Sequence, residues 1–171
     1  MLSKKMAKAL NAQINAETFS AYLYMSMAAW FDNKNLTGFA NWMKIQVQEE
    51  LFHAQKFYNY VFERGGRVIM DAIEKPETEW KSVLDVFEFT LTHEQKVTSL
   101  INNLVEVSRD QKDNATYNFL QWFVSEQVEE ESSVDAVIQK LKLIGDFGPG
   151  IFMIDQELAG RVFTPPATAG A

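Results

Sequence analysis

Cysteine is absent from this 171-residue chain, which excludes disulfide frameworks, thiolate nucleophiles, zinc fingers and iron–sulfur clusters. Any metal must therefore be held by carboxylates, imidazoles and amides. Proline is scarce: Pro76, Pro149, Pro165 and Pro166 fall in predicted loops or the tail, and no glycine occurs between Met1 and Leu36. Long hydrophobic runs are also missing. The most apolar window, residues 21–31, contains Ser26 and is too short for a bilayer core about 30 Å thick. Met1-Leu2-Ser3-Lys4-Lys5 leads into mixed polar and apolar sequence, so no targeting segment and no membrane partner are expected, and the default location is the cytoplasm. Positive charge is in deficit, with 16 Lys+Arg against 23 Asp+Glu and a formal net charge of −7. That balance argues against a nucleic-acid or anionic-membrane binder.

What is present points to an all-α protein. The 47% hydrophobic content suits a globular chain, and the length suits a single domain over 1–171. Helical periodicity predicts four long helices over about residues 4–33, 37–64, 82–110 and 114–144, and a short fifth over about 150–160. Asp32-Asn33-Lys34-Asn35 closes the first and offers an N-cap to the second, Gly65-Gly66 ends the second, and Gly145 stops the fourth. The tail from Thr164 to Ala171 reads as frayed. Short connections make two antiparallel hairpins. Residues 65–81, if extended, reach about 55 Å, enough to run the length of a helix of about 42 Å. One long crossover between two hairpins is the expected topology, although the loop length alone leaves room for a segment that folds back.

The inward stripes carry acids. The first helix presents Leu10, Ile14, Glu17, Ala21, Tyr24, Ala28 and Phe31; the second presents Met43, Val47, Glu50, Ala54, Phe57 and Val61, with His53 one turn beyond Glu50. The third presents Phe87, Leu91, Glu94, Thr98, Ile101 and Val105, and the fourth Leu120, Phe123, Gln127, Glu130, Val134, Val137, Leu141 and Ile144. A single acid in such a stripe is ordinarily an interfacial side chain that reaches water. Four at matching heights are different, because a buried unpaired carboxylate costs several kcal/mol or neutralises itself. Lys and Arg are absent from these positions, so a divalent metal is the simplest counter-charge.

A repeat supports this. Adding 77 to Glu17, Glu50 and His53 lands on Glu94, Gln127 and Glu130, and Glu49 maps to Glu126. Each hairpin thus offers a similar polar set, and a two-fold relation would bring the sets together as a dinuclear site. Glu17, Glu50 and His53 would bind one metal; Glu50, Glu94 and Glu130 would bind the other, with Glu50 bridging. Because the fourth helix has Gln127-x-x-Glu130 where the second has Glu50-x-x-His53, the two positions should differ in affinity. Imidazole plus carboxylate suits iron, manganese or zinc.

With Glu49-Glu50-Leu51-Phe52-His53-Ala54, Asn118-Phe119-Leu120-Gln121-Trp122-Phe123 and Ser125-Glu126-Gln127-Val128-Glu129-Glu130-Glu131, the chain resembles the prokaryotic (bacterial and archaeal) non-haem ferritins from about Lys4 to Arg161. The resemblance implies a ferritin-like four-helix bundle with a fifth C-terminal helix. It also implies a ferroxidase that oxidises Fe²⁺ with O₂ or H₂O₂ and stores Fe³⁺ as a ferric oxide mineral in a shell of 24 identical subunits. Tyr24 matches the family's tyrosine near the centre, and Gln127 a residue that hydrogen-bonds or weakly ligates near the second iron. Glu49, Glu126 and Glu129 match a third iron site, with Glu130 as its link to the centre; taken alone, residues 129–131 are a solvated charge run.

Phe52 stands where a bacterioferritin would place its haem-ligating methionine, so no haem is expected. His93, the only other histidine, reads as a surface residue. Two other readings stay open: a passive shell whose acids only nucleate iron, and a di-iron oxidase or peroxide scavenger of the same bundle type without storage.

Overall fold

The computed structural model describes residues 1–165; the expected fraying beyond Pro165 lies outside the described residues. Five helices follow in order: α1 Lys4–Asn33, α2 Thr37–Glu63, α3 Val83–Asp110, α4 Asn114–Ile144 and α5 Gly148–Leu158. The chain is a ferritin-like four-helix bundle with a short fifth helix. α5 begins and ends two residues earlier than the periodicity suggested, since Pro149 sits comfortably in a first helical turn where no N–H is needed.

Local chemistry explains most helix ends. Ser3, Ser82 and Asp113 accept hydrogen bonds from the backbone N–H groups of Met6, Asp85 and Thr116, each at 3.1 Å, and so cap α1, α3 and α4. Gly145 takes a positive φ of 57° to stop α4. The cap expected for α2 from residues 32–35 is not used. Its N-cap is Leu36, which has no side chain to offer. Asp155 of α5 does the work instead, its Oδ1 accepting from Gly38 N at 2.8 Å and Phe39 N at 3.0 Å. Glycine is required at position 38, because a Cβ there would sit 1.6 Å from the Asp155 carbonyl oxygen.

The crossover, residues 64–82, settles the topology. Arg67 O and Ala72 O accept from Asn11 and Asn15 at 3.1 and 3.0 Å, and Glu77 O accepts from Ser26 at 2.7 Å. The segment therefore climbs α1 from its N-terminal to its C-terminal half and does not fold back. As a result α2 and α3 run parallel, and Phe31, Phe39 and Phe87 meet at one end of the bundle with ring centroids 5.3–6.2 Å apart.

The apolar core is split in two. One cluster gathers Tyr24, Phe31, Phe39, Met43, Phe87 and Val134; the other gathers Met6, Leu10, Phe57, Ile101, Leu120 and Phe123. Phe57 stacks on Phe123 at 4.0 Å, and Tyr60 on Phe119 at 3.7 Å, joining α2 to α4. Between the clusters, at mid-height, every helix of the bundle turns a polar side chain inward.

Candidate metal centre

Glu17, Glu50, His53, Glu94, Gln127 and Glu130 are all buried in this middle layer, none more than 5% exposed. Helical spacing accounts for it, since Glu50 and His53 lie at i,i+3 on one face of α2 and Gln127 and Glu130 do the same on α4. One ligand atom from each of Glu17, Glu50 and His53 lies within 4.8 Å of the others. A second such group joins His53, Glu126 and Glu130.

The inner oxygens are short of partners. Glu17 Oε1 accepts from Gln13 at 3.0 Å, but Glu17 Oε2 and Glu50 Oε2 are buried with no hydrogen-bond partner. His53 Nδ1 stands 3.6 Å from Glu50 Oε2, and its Nε2 stands 3.8 Å from Glu126 Oε1. The imidazole is walled by Trp122 and Phe123, with ring centroids 5.5 and 5.9 Å away. Unpartnered carboxylate oxygens in a dry layer are what a cation would satisfy, so the donor set fits a hard divalent metal.

Glu94 is held differently. Tyr24 donates to its Oε1 and Gln127 Nε2 donates to its Oε2 at 3.2 Å. It therefore stands outside both three-ligand groups among the described residues, although buried in the same layer. Glu130 Oε2 accepts from Gln46 at 2.8 Å. Glu49 and Glu126 are half-buried, and Glu49 pairs with Arg161 at 2.7 Å; Glu129 is exposed and belongs to neither group.

Electrostatics follow from burial. Loss of water pushes the Glu94 and Glu130 carboxyls up to about 7 and raises Glu50 well above the usual carboxylate range. Glu49 also rises to about 7, with burial outweighing the opposing pull of Arg161. Burial works against a charged His53, but the surrounding Glu126, Glu50 and Glu17 carboxylates more than offset it and raise its pKa. Tyr24 is raised by burial and then by Glu94 and Glu50, so its phenol stays protonated.

Three buried side chains were not anticipated. Gln13 and Gln46 hydrogen-bond Glu17 and Glu130; the available signal was a glutamine four residues before Glu17 and another four before Glu50. His93 is buried, contrary to the expectation of a surface residue. It packs edge-on to Tyr24, hydrogen-bonds Ser20 Oγ at 2.8 Å, and is pushed down to about 4 by burial, which keeps it neutral. It lies beside α1, and a helix flanked by two neighbours buries a wider arc than one stripe.

Comparison with known proteins agrees with this geometry. The ferritin family profile, a ferritin-like domain, matches residues 7–144. The bacterial non-heme ferritin of Staphylococcus aureus (strain USA300) is 44% identical over 163 residues, 95% of this chain and 98% of its own length. That of Staphylococcus epidermidis (strain RP62A) is 45% identical over the same shares. Among solved structures, an Archaeoglobus fulgidus ferritin engineered into a closed form is 54% identical, with a TM-score of 0.95 over 96% of this chain and 100% of that one. The open-pore ferritin of the same archaeon is 53% identical, with a TM-score of 0.93 over 94% and 98% of the two chains. Fold, buried donor set and relatives converge: the chain belongs to the ferritin family, as a non-haem ferritin of the bacterial and archaeal type.

Proposed function

We propose that this chain, as a single ferritin-like domain over 1–171, is a cytoplasmic iron-storage subunit with ferroxidase activity. It takes Fe²⁺ as substrate, passes one electron per iron to O₂ or H₂O₂, and stores Fe³⁺ as a ferric oxide mineral inside a hollow shell of 24 subunits. The observation that carries this reading is the pair of buried, unpartnered oxygens, Glu17 Oε2 and Glu50 Oε2, facing the same layer as His53.

Each side chain then has a task. Glu17, Glu50 and His53 hold one Fe²⁺, and Glu50, Glu94 and Glu130 hold the second, with Glu50 shared. Gln13 and Gln46 orient Glu17 and Glu130 from outside. Tyr24 and Gln127 fix the Glu94 carboxylate before substrate arrives. The raised proton affinities of Glu50, Glu94 and Glu130 mean that Fe²⁺ uptake expels protons. Carboxylate-rich coordination also suits the higher charge of the product. Glu49, Glu126 and Glu129 supply a third site, reached through Glu130. Exposed apolar side chains on the outer face of α1 (Tyr22, Met25) and on the crossover (Ile69, Met70) support burial against other subunits.

The test is direct. Apoprotein given Fe²⁺ in air should oxidise it far faster than buffer, and Glu50→Ala or Glu94→Ala, each removing a direct ligand, should slow the reaction by at least about 100-fold, the upper end of what loss of an outer-shell contact costs. Equal rates for the wild type and both variants would sink the ferroxidase reading. Fast oxidation by a particle that forms no electron-dense core would instead favour an oxidase without storage.

A further inference from the structure

Arg161 lies three residues past the end of α5 and turns its guanidinium back onto α2. It covers the Trp42 indole at 4.7 Å from the ring centroid. From Nη1 it donates to Trp42 O at 3.3 Å and Gln46 Oε1 at 2.5 Å, and from Nη2 to Glu49 Oε2 at 2.7 Å. The Arg161 and Glu49 side chains are only 25% and 22% exposed, so solvent screens the pair incompletely.

The backbone of this segment is anchored separately. Asn41 Nδ2 donates to Leu158 O at 3.2 Å and to Arg161 O at 3.0 Å. The guanidinium can therefore leave Glu49 without unravelling the chain that carries it. It also sets the orientation of Gln46: a guanidinium has only donors, so the amide must turn its oxygen to Arg161 and its nitrogen to Glu130.

A cation thus already sits on one of the third-site acids. A metal approaching Glu49 would meet a like charge that cannot be titrated away, at contact distance in a partly dry place, unless the arginine withdraws. We infer that Arg161 is a resident counter-ion that an incoming metal must displace from Glu49, so that this guanidinium sets the threshold for filling the third site. The inference rests on the reading of Glu49, Glu126 and Glu129 as that site. Before metal arrives, the ion pair spares Glu49 from standing half-buried and uncompensated. Once displaced, the guanidinium keeps its Trp42 stacking, which costs it no charge partner to maintain. The third site accordingly stays closed until the stronger inner ligand set is taken.

Zn²⁺ titration calorimetry on the assembled apoprotein tests this, because Zn²⁺ does not turn over and the readout is binding alone. Four proteins are compared: wild type, Arg161→Gln, Glu49→Gln and the double variant. R161Q should tighten the weakest class of sites by about fivefold, the scale of one partly solvent-screened ion pair. That gain should vanish in the Glu49→Gln background. Should R161Q fail to assemble, Arg161→Lys, which keeps the charge but loses the planar fork, should give a gain of about twofold. If E49Q removes the weakest class while neither arginine variant tightens it, the displacement idea is wrong and the third site stands. If E49Q removes no binding, the third-site reading falls, and the inference with it. A gain that persists without Glu49 would also overturn it, placing the effect in packing or in Gln46.

Discussion

Glu17 and Glu50 show how the meaning of a residue type depends on which face of its helix it occupies. On the surface each would be a solvated charge; in the middle layer each holds a carboxylate oxygen without a partner. Their supporting amides matter as much as the ligands. Gln13→Leu keeps the helix and the approximate volume but removes the donor to Glu17 Oε1. It should weaken Zn²⁺ binding at the tightest class of sites by about 10- to 100-fold, as lost outer-shell contacts generally do. Unchanged calorimetric affinity would show that Glu17 needs no such support.

The proton affinities give a second prediction at this scale. Glu94 and Glu130 hold protons up to about pH 7 in the folded chain, but release them near 4.3 when unfolded, a roughly ordinary carboxylate value. Between those values the folded state binds more protons, so these carboxyls make stability fall as pH rises, outweighing the single opposite contribution of His93, whose folded value of about 4 lies below its unfolded one. His53 acts in the same sense: its raised folded pKa means that its contribution, too, is lost on the way up. The melting temperature of metal-free protein should therefore decline from about pH 5 to about pH 7.5, and Zn²⁺ should erase the decline. A flat or rising metal-free profile would contradict the burial argument. The four inward acids and His53 were legible as a set because they interrupt apolar stripes; Gln13, Gln46 and His93 were not, because neutral or adjacent polar residues break no pattern.

At the scale of elements, periodicity located all five helices, and the caps at Ser3, Ser82 and Asp113 are local enough to read from three-residue spacing. The start of α2 was not legible. Its cap comes from Asp155, 117 residues downstream of Gly38, so no local pattern could announce it. Asp155→Ala leaves two backbone N–H groups unpaired and should cost about 1–2 kcal/mol, read as a lower melting temperature with α5 loosened. Gly38→Ala should cost at least as much, since its Cβ cannot coexist with the Asp155 carbonyl. If both variants melt like the wild type, α5 does not hold the start of α2. The crossover was half legible. Its length allowed either a climb or a fold back, and only the hydrogen bonds from Asn11, Asn15 and Ser26 select the climb.

At the scale of the whole molecule, two apolar clusters clamp a polar layer. Each cluster buries large aromatic side chains, and these make the bundle stiff enough to keep unpartnered carboxylates apart from water. Phe57→Ala, at the stacked contact with Phe123, should destabilise the chain by about 3–5 kcal/mol in thermal or denaturant melts. The outer surface makes its own prediction. Met25→Glu combined with Met70→Glu places charge on the exposed apolar face of α1 and the crossover. Light scattering should then find only small species for the double variant and the proposed large particle for the wild type, because burying unpaired charge in an interface is costly. A full-sized particle from the double variant would move the subunit contacts elsewhere.

The sequence by itself determined the helix count, the hairpins, the absence of sulfur ligands and the identity of the inward acids. All of these follow from periods of three to four residues, from short connections or from composition, which are properties of neighbours along the chain. The tertiary structure decided the rest: the direction of the crossover, the remote cap from Asp155, the burial of His93, the holding of Glu94 by Tyr24 and Gln127, and the seat of Arg161 on Glu49. Each is a contact between residues far apart in sequence. Their pairing depends on how whole helices settle against one another, and no stretch of a few residues encodes that.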